Sequence, residues 1–402
     1  YRDKLDQIMA QVDRPIRVIE TTDEDGPDWP ADTDAIASPP APQAEDTALL
    51  LYTSGSTGLP KGAVLSHRAV TSGGRNVVEG HQLSASDRAL CVLPVYHING
   101  AMVTVSAPLY SGSSVVMPQR FSATDYWRLV AEHRCTWSSI VPTIIKYLLD
   151  RAEQEPYDFG NDERLAGFRF ARSASAPLAA VTLEQWEQTF KVPMIETLGL
   201  TETAGTVASN PLPPAPRKPG SVGLPYGNEI LIVDEHGKEC PPQVVGELVM
   251  RGSNLLDLYY KNPEATAESI RNGWFYSGDL GMKDEDGYIF ITGRSKELII
   301  RGGENIAPRE IDDVLYKHEA ILEAAAVGVD DENYGQEVVA CVALRDGYQC
   351  SEDELKAFCE AGVGKYKMPK TVYFFDELPK GPSGKILRLK LPELIAKTTA
   401  GE

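Results

Sequence analysis

Residues 52–62 read YTSGSTGLPKG, which gathers hydroxyls at Thr53, Ser54, Ser56 and Thr57, glycines at Gly55, Gly58 and Gly62, and the ammonium of Lys61. Glycine lets a backbone approach a phosphate closely, and hydroxyls, N–H groups and a lysine supply donors to its oxygens. The combination predicts a loop that holds a polyphosphate. It is not the Walker A arrangement, which needs GxxxxGK and then Ser or Thr between a strand and a helix. Here Gly62 follows Lys61, and apolar runs flank the loop at 48–52 and 63–65. Those flanks predict strand–loop–strand, with the loop closing over a triphosphate. A flexible Gly/Ser connection with no ligand is the plainer alternative.

Further segments gather polar groups: LPVYHING at 93–100, SASAPL at 173–178, ETLGLTET at 196–203, NGWFYSGDLG at 272–281, GRSKELIIRGGENIAPREI at 293–311 and PKGPSGKILR at 379–388. Each alone has a plain structural reading. A Thr-Glu pair such as Thr201-Glu202 caps helices, and an Asp after Gly, such as Asp279, usually makes a turn. A lone Lys385 after glycine is an ordinary surface lysine, and His97 fits a packed, hydrogen-bonded histidine as well as a pocket residue. In type and order, however, these segments and the 52–62 loop resemble the adenylate-forming superfamily, which holds acyl- and aryl-CoA ligases, peptide-synthetase adenylation domains and luciferases. The likeness runs from Leu50 to Arg388. It points to the AMP-forming carboxylate–CoA ligases, including the branch with oxalate–CoA ligases.

The resemblance implies two steps. A carboxylate attacks the α-phosphorus of ATP, giving an acyl-adenylate and pyrophosphate; a thiol then expels AMP. Two anions must meet, so preorganised donors and a divalent cation are required. By resemblance, Thr53, Ser54, Ser56, Thr57 and Lys61, with Gly55 and Gly58, hold the β- and γ-phosphates. Thr201 donates to the α-phosphate and Glu202 binds Mg²⁺. Adenine lies between Ala174, Ser175, Ala176 and the Thr197, Leu198, Gly199 strand; the family commonly has an aromatic residue where Leu198 stands. Asp279 accepts from the ribose hydroxyls, Arg294 donates to the same sugar, and Ile291 belongs to the same cofactor-binding set. Lys385, on a mobile small domain, reaches the reacting phosphate only when that domain closes. Lys296 matches the hinge, and Gly302 and Gly303 line the thiol tunnel. His97 gates the acyl pocket or neutralises the incoming carboxylate. The acceptor implied is CoA; a stand-alone enzyme loading a carrier protein, and an inactive nucleotide- or acyl-binding fragment, are the alternatives. The acid itself stays open: a dicarboxylate needs a second cation, for which Arg172 is a candidate, whereas a fatty acid needs an apolar tunnel.

The elements that must position these residues follow from the rest of the chain. Its 402 residues, 42% hydrophobic and 24% charged, suffice for more than one core in a soluble globular protein. A net charge of −19 argues against nucleic acid and anionic membranes as partners, without excluding a local basic site. The six cysteines are scattered, with no CxxC, so reduced cytoplasmic thiols fit better than a metal or disulfide framework. Cys359 reads as a small buried hydrophobe rather than a nucleophile. No apolar run is long enough to span a bilayer and no signal peptide is evident. An oligomer is compatible with all of this.

The fold class predicted is α/β: a large layered α/β domain with a β-rich region over 1–293, and a small mobile α+β C-terminal domain over 294–402. Residues 1–20 read as a short helix and a strand, and 23–46 as an acidic surface linker. Helical spacing falls at 125–133 and 144–153, and buried strands at 115–117, 137–141, 168–171 and 193–196. Residues 211–219 read as a rigid proline-rich loop, and 229–234, 246–251 and 288–293 as strands of the β-rich region. Beyond Arg294 the pattern resets. A strand at 297–300 precedes a helix at 307–318 with Pro308 near its start. Strands follow at 324–329, 338–344 and 372–375, and Ser351 and Glu354 form a capping box for a second helix. Family members carry more chain ahead of the phosphate loop than residues 1–47 supply. The N-terminal part of the large domain is therefore expected to be missing, with apolar surface left exposed.

Overall fold

The structure, a computed structural model, describes residues 21–22, 26–27, 41–53, 60–155, 159, 162–381 and 385–400. The chain forms two units, 1–43 and 44–402. In the first, β1 (Thr21–Thr22) pairs with β2 (Gly26–Pro27). The helix and strand expected over 1–20 lie outside the described residues, as does most of the acidic linker.

The second unit begins with β3 (Thr47–Thr53), β4 (Lys61–Ser66), α1 (His67–His81) and β5 (Arg88–Cys91). A π-helical segment, Asn99–Ser106, runs into α2 (Ala107–Ser111) and β6 (Ser114–Val116). There follow α3 (Tyr126–His133), β7 (Trp137–Ile140), α4 (Pro142–Gln154), β8 (Phe170–Ser173), α5 (Ala180–Phe190), β9 (Met194–Leu200) and β10 (Gly205–Ser209). The β-rich part holds β11 (Leu224–Pro225), β12 (Asn228–Val233), β13 (Gly246–Gly252), β14 (Leu258–Tyr259), α6 (Pro263–Ser269), β15 (Ile270–Arg271), β16 (Trp274–Lys283) and β17 (Ile289–Arg294). The last stretch holds β18 (Ile299–Arg301), β19 (Glu304–Ile306), α7 (Pro308–Leu315), β20 (Ile321–Asp331), β21 (Gly335–Leu344), α8 (Glu352–Val363), β22 (Thr371–Phe374) and α9 (Leu391–Ala400).

Four sheets organise this unit, and they are the layered α/β body, the β-rich region and the small α+β part that the sequence implied. A seven-stranded sheet has the order β11-β10-β9-β8-β7-β5-β6, parallel from β9 to β6 and antiparallel at the β10 and β11 edge. Both its faces are covered. Tyr126, Ile145, Trp186 and Phe190 from α3, α4 and α5 pack on one; Val77 of α1 and Val103 of the π-helical segment pack with Trp137, Phe170 and Ile195 on the other. Burial on both faces is why WSSI and FARS read as continuous rather than alternating strands. β3, β4 and β14 form a three-stranded sheet; β12, β13, β15, β16 and β17 a second of five; and residues 299–374 a third sheet, β19-β18-β21-β20 with β22 beside β21.

The pairing of β3 with β4, ending on Thr53 opposite Lys61, gives the strand–loop–strand geometry expected around the phosphate loop. The loop itself, 54–59, lies outside the described residues. Elsewhere hydrogen bonding shifts the boundaries. The strand expected at 168–171 runs Phe170–Ser173, because Phe168 belongs to the turn that closes onto α3–α5. The strand expected at 297–300 begins as a 3₁₀ turn, Ser295–Glu297, before β18. The helix expected to reach His318 ends at Leu315.

Helix α1 was not evident from sequence, since its two central glycines are poor helix formers; tertiary packing overrides that preference. Ser66 caps it, accepting from the Ala69 N–H at 3.3 Å. A Cβ on Gly73 would lie 2.2 Å from the Ala204 carbonyl oxygen, so a bare backbone is needed where α1 crosses the turn after Thr203. Gly73→Ala is expected to destabilise the fold by about 1–3 kcal/mol through overpacking. The readout is the thermal unfolding midpoint, and an unchanged midpoint would contradict the close approach.

Candidate active site

Asp279 and Arg294 face each other across the β16–β17 pair, and their side chains meet at 2.8 Å. Asp279 is buried, and the pair is the strongest influence on Arg294, whose pKa it raises. Lys385, some ninety residues further on, is brought to the same place. Its ammonium is pushed down by burial and by the positive charge of Arg294, and pushed up by Glu297 and Asp279. Glu202, on a 3₁₀ turn at the end of β9, completes the cluster. Burial raises its pKa, while Arg294 lowers it and Asp279 raises it.

Tyr259 was missed by sequence reasoning. Its hydroxyl donates to Glu202 Oε1 at 2.9 Å, and Lys61 Nζ lies 5.2 Å from its ring centre. Tyr259 thus ties Lys61 to the partly buried Glu202 carboxylate, through the β14–β4 pairing at Tyr259↔Ala63. An aromatic residue in a two-residue strand gives no sequence signal for this. Thr201 is partly buried on the same turn. Thr203 fixes that turn, accepting from the Leu200 N–H at 3.0 Å and donating to the Gly205 carbonyl at 2.7 Å. Ser54, Gly55, Ser56, Thr57 and Gly58 lie outside the described residues, as do Pro382, Ser383 and Gly384 beside Lys385.

The ends of β8 and β9 lie side by side, with Ser173 opposite Glu196, so the 174–176 turn and the 197–199 strand are neighbours. A Cβ on Gly199 would meet the Gly205 carbonyl oxygen at 2.4 Å, which fixes glycine there. The Thr197 hydroxyl is committed to protein: it accepts from Arg172 Nη2 and donates to the Ser173 carbonyl at 3.2 Å. Leu198 packs against Ile230 and Ile289 in the core below.

His97 is half-buried, and burial lowers its pKa. Its Nδ1 accepts the Asn99 N–H at 3.3 Å, so the neutral ring carries its proton on Nε2. Burial thus disfavours the charge-neutralising cation considered from sequence and favours a neutral ring that donates through Nε2–H. Asn99 links outward, donating to Ser175 Oγ at 3.3 Å and accepting from Ser139 Oγ at 2.8 Å. The 93–100 segment and the 173–178 turn are therefore joined through side chains.

Ile291 lies on β17 opposite Gly281, and its carbonyl accepts from Arg309 at 2.5 Å. Lys296 sits in the 3₁₀ turn between β17 and β18 and lines a cleft of about 470 Å³ with Gly328, Arg388 and Pro392. Gly302 and Gly303 form the hairpin turn between β18 and β19 with φ of +58° and +88°. A tight turn with positive φ at both centres needs glycine, which is one physical reason for the pair. All six cysteines are free thiols, and Cys359 is buried with its pKa pushed up to about 11, as expected for an inert hydrophobe. Contrary to the scattered cysteine pattern, His318, Cys350 and Glu354 place one ligand atom each within 4.8 Å of one another.

Residues 2–260 match the profile of the AMP-binding enzyme family, and residues 310–385 that of the AMP-binding enzyme C-terminal domain. The chain belongs to this family. Among curated relatives, the sulfoacetate–CoA ligase of Cupriavidus necator is 49% identical over 95% of this chain and 74% of its own length. The oxalate–CoA ligase of Arabidopsis thaliana is 41% identical over 86% of this chain and 66% of its own. The chain thus spans about three quarters and about two thirds of these two relatives. Among solved structures, ATP-bound MatB from Rhodopseudomonas palustris is 33% identical with a TM-score of 0.80, covering 89% of this chain and 69% of that one. MenE from Bacillus subtilis, with its acyl-adenylate intermediate OSB-AMP bound, is 32% identical with a TM-score of 0.78, covering 87% and 70%. Within the AMP-binding family the chain is of the adenylate-forming carboxylate–CoA ligase type, whose members use ATP and CoA as substrates. Among its described residues no helix is long and apolar enough to cross a membrane.

Proposed function

We propose that the cluster of Glu202, Asp279, Arg294 and Lys385 is where this chain converts ATP and a small organic acid into an acyl-adenylate, which CoA then takes up as a thioester. The meeting of these four residues from distant stretches carries the reading. Asp279 and Arg294 form a polar edge for the ribose, with Ile291 beside it. Lys61 and Thr53 lie at the mouth of the phosphate loop, and Ser54, Gly55, Ser56, Thr57 and Gly58 complete it. Thr201 donates to the α-phosphate. Ala174, Ser175, Ala176, Leu198 and Gly199 bracket adenine with the Thr197 backbone. His97 orients the acid through Nε2–H.

Magnesium fits this donor set. Glu202 is a partly buried carboxylate with one oxygen held by Tyr259 and a pKa raised by desolvation, and a hard cation suits its other oxygen. When bound, the ion screens the phosphate oxygens. Tyr259 holds Glu202 in one orientation, and Lys385 supplies positive charge where it develops on the α-phosphate.

The boundary between large and small domains falls at 294–296 in this reading, with Lys296 the pivot. Lys146 Nζ on α4 donates to the carbonyls of Ile321 at 3.1 Å and Leu322 at 3.3 Å, and Arg345 reaches Asp150 at 3.7 Å. Turning the small domain for thiolysis breaks these contacts and brings Gly302 and Gly303 to the thiol. The relatives named for sulfoacetate and oxalate favour CoA as acceptor and a small acid as substrate, and free thiols fit a cytoplasmic setting. The test is acid-dependent pyrophosphate release with ATP and Mg²⁺, followed by addition of CoA or of a carrier protein. Release with an acid and thioester formation with CoA are expected; no release with any acid would overturn the reading.

A further inference from the structure

Arg172 lies on β8, a strand buried along its whole length, and is 1% exposed. Its Nη2 donates to Thr197, but Nε and Nη1 have no partner among the described residues. Burial pushes its pKa down to about 9, and among the described residues no neighbouring carboxylate offsets that. A guanidinium offers five N–H donors and stays charged at neutral pH. Sealing one from water with two nitrogens unpaired is tolerated only if an anion takes those bonds.

The surroundings show where that anion comes from. Arg172 stands opposite Ser139 across the β7–β8 pair, and Ser139 is bonded to Asn99 of the 93–100 segment. Asn99 is bonded in turn to Ser175, three residues beyond Arg172. The guanidinium thus lies between the 93–100 segment, assigned to the acyl pocket, and the Ser175 and Thr197 segments, assigned to adenine. The His81 ring is also fully buried, and it is kept neutral by burial and by the charge of Arg172, against a backbone hydrogen bond at Gly80. Thr197 and Thr201 are four residues apart on one chain, on the order of 13 Å for an extended strand. The guanidinium and the phosphate occupy part of that span, which leaves room for a few carbons.

We propose that Arg172 holds a second acidic group of the substrate, so that the acid activated here is a short dianion, either a dicarboxylate or a sulfonated carboxylate. This rests on the carboxylate-activation reading above. A monoanionic acid of the same size leaves the guanidinium unpaired and is rejected for that reason.

The test is pyrophosphate release with oxalate, malonate, succinate and sulfoacetate against acetate, propionate and butyrate, in the wild-type protein, Arg172→Met and Arg172→Lys. The wild-type protein is expected to favour at least one dianion over its monoanionic match by on the order of 100-fold in kcat/KM. Arg172→Met is expected to erase that preference while the monoanion rate holds or rises, and Arg172→Lys to keep part of it. Equal loss for dianions and monoanions in a folded Arg172→Met would overturn the assignment. If Arg172→Met melts early, the wild-type panel and Arg172→Lys decide: pyrophosphate with monoanions alone overturns this assignment and leaves the parent reading standing. No pyrophosphate with any acid overturns both.

Discussion

Lys385→Ala is expected to lower acid-dependent pyrophosphate release by on the order of 100-fold or more, the scale for removing one preorganised charge from a forming oxyanion. Conversion of a supplied acyl-adenylate and CoA to thioester is expected to stay largely intact. The structure supplies the reason for the asymmetry. Lys385 lies within the fields of Asp279, Glu297 and Arg294, so in this arrangement its charge sits beside the residues proposed to hold the ribose. Burial disfavours the ammonium until negative charge develops beside it. Turning about Lys296 would carry Lys385 away before the thiol attacks. Equal loss in the two half-reactions would show that Lys385 acts in both, or that it only holds the fold.

Asp279→Ala is expected to raise the KM for ATP by roughly 10–100-fold, the range for losing hydrogen bonds to a charged group. At saturating ATP, kcat should change less, because the ribose is bound alike in ground and transition states. Asp279 contacts Arg294 at 2.8 Å, so its removal also leaves that guanidinium without its carboxylate. Asp279→Asn separates the two effects: it keeps an acceptor for the ribose but loses the ion pair, and an intermediate KM is expected. A KM for ATP that is unchanged in Asp279→Ala would remove Asp279 from the ribose site.

Local signals carried much of the site. The glycines and hydroxyls of 52–62 between apolar flanks sufficed for strand–loop–strand, because turn chemistry and strand pairing are short-range. Pro308 at the first turn of α7, and Ser351 accepting from the Glu354 N–H at 3.2 Å ahead of α8, were likewise legible from neighbours in sequence. Asp279, Arg294 and Lys385 were singled out only because their segments resemble a known family. Nothing in the spacing of 279, 294 and 385 says that these residues meet.

The sequence by itself determined the fold class, many of its elements, the phosphate-loop signature and the family. Tertiary structure alone decided which charges shift one another, that Tyr259 grips Glu202, that burial disfavours a charged His97, that the Thr197 hydroxyl is spent on Arg172, and that two nitrogens of Arg172 go without a partner among the described residues. The division has a physical cause. Turn and capping preferences act over a few residues, whereas desolvation and Coulomb forces depend on what the fold places within a few ångströms, however far apart in the chain.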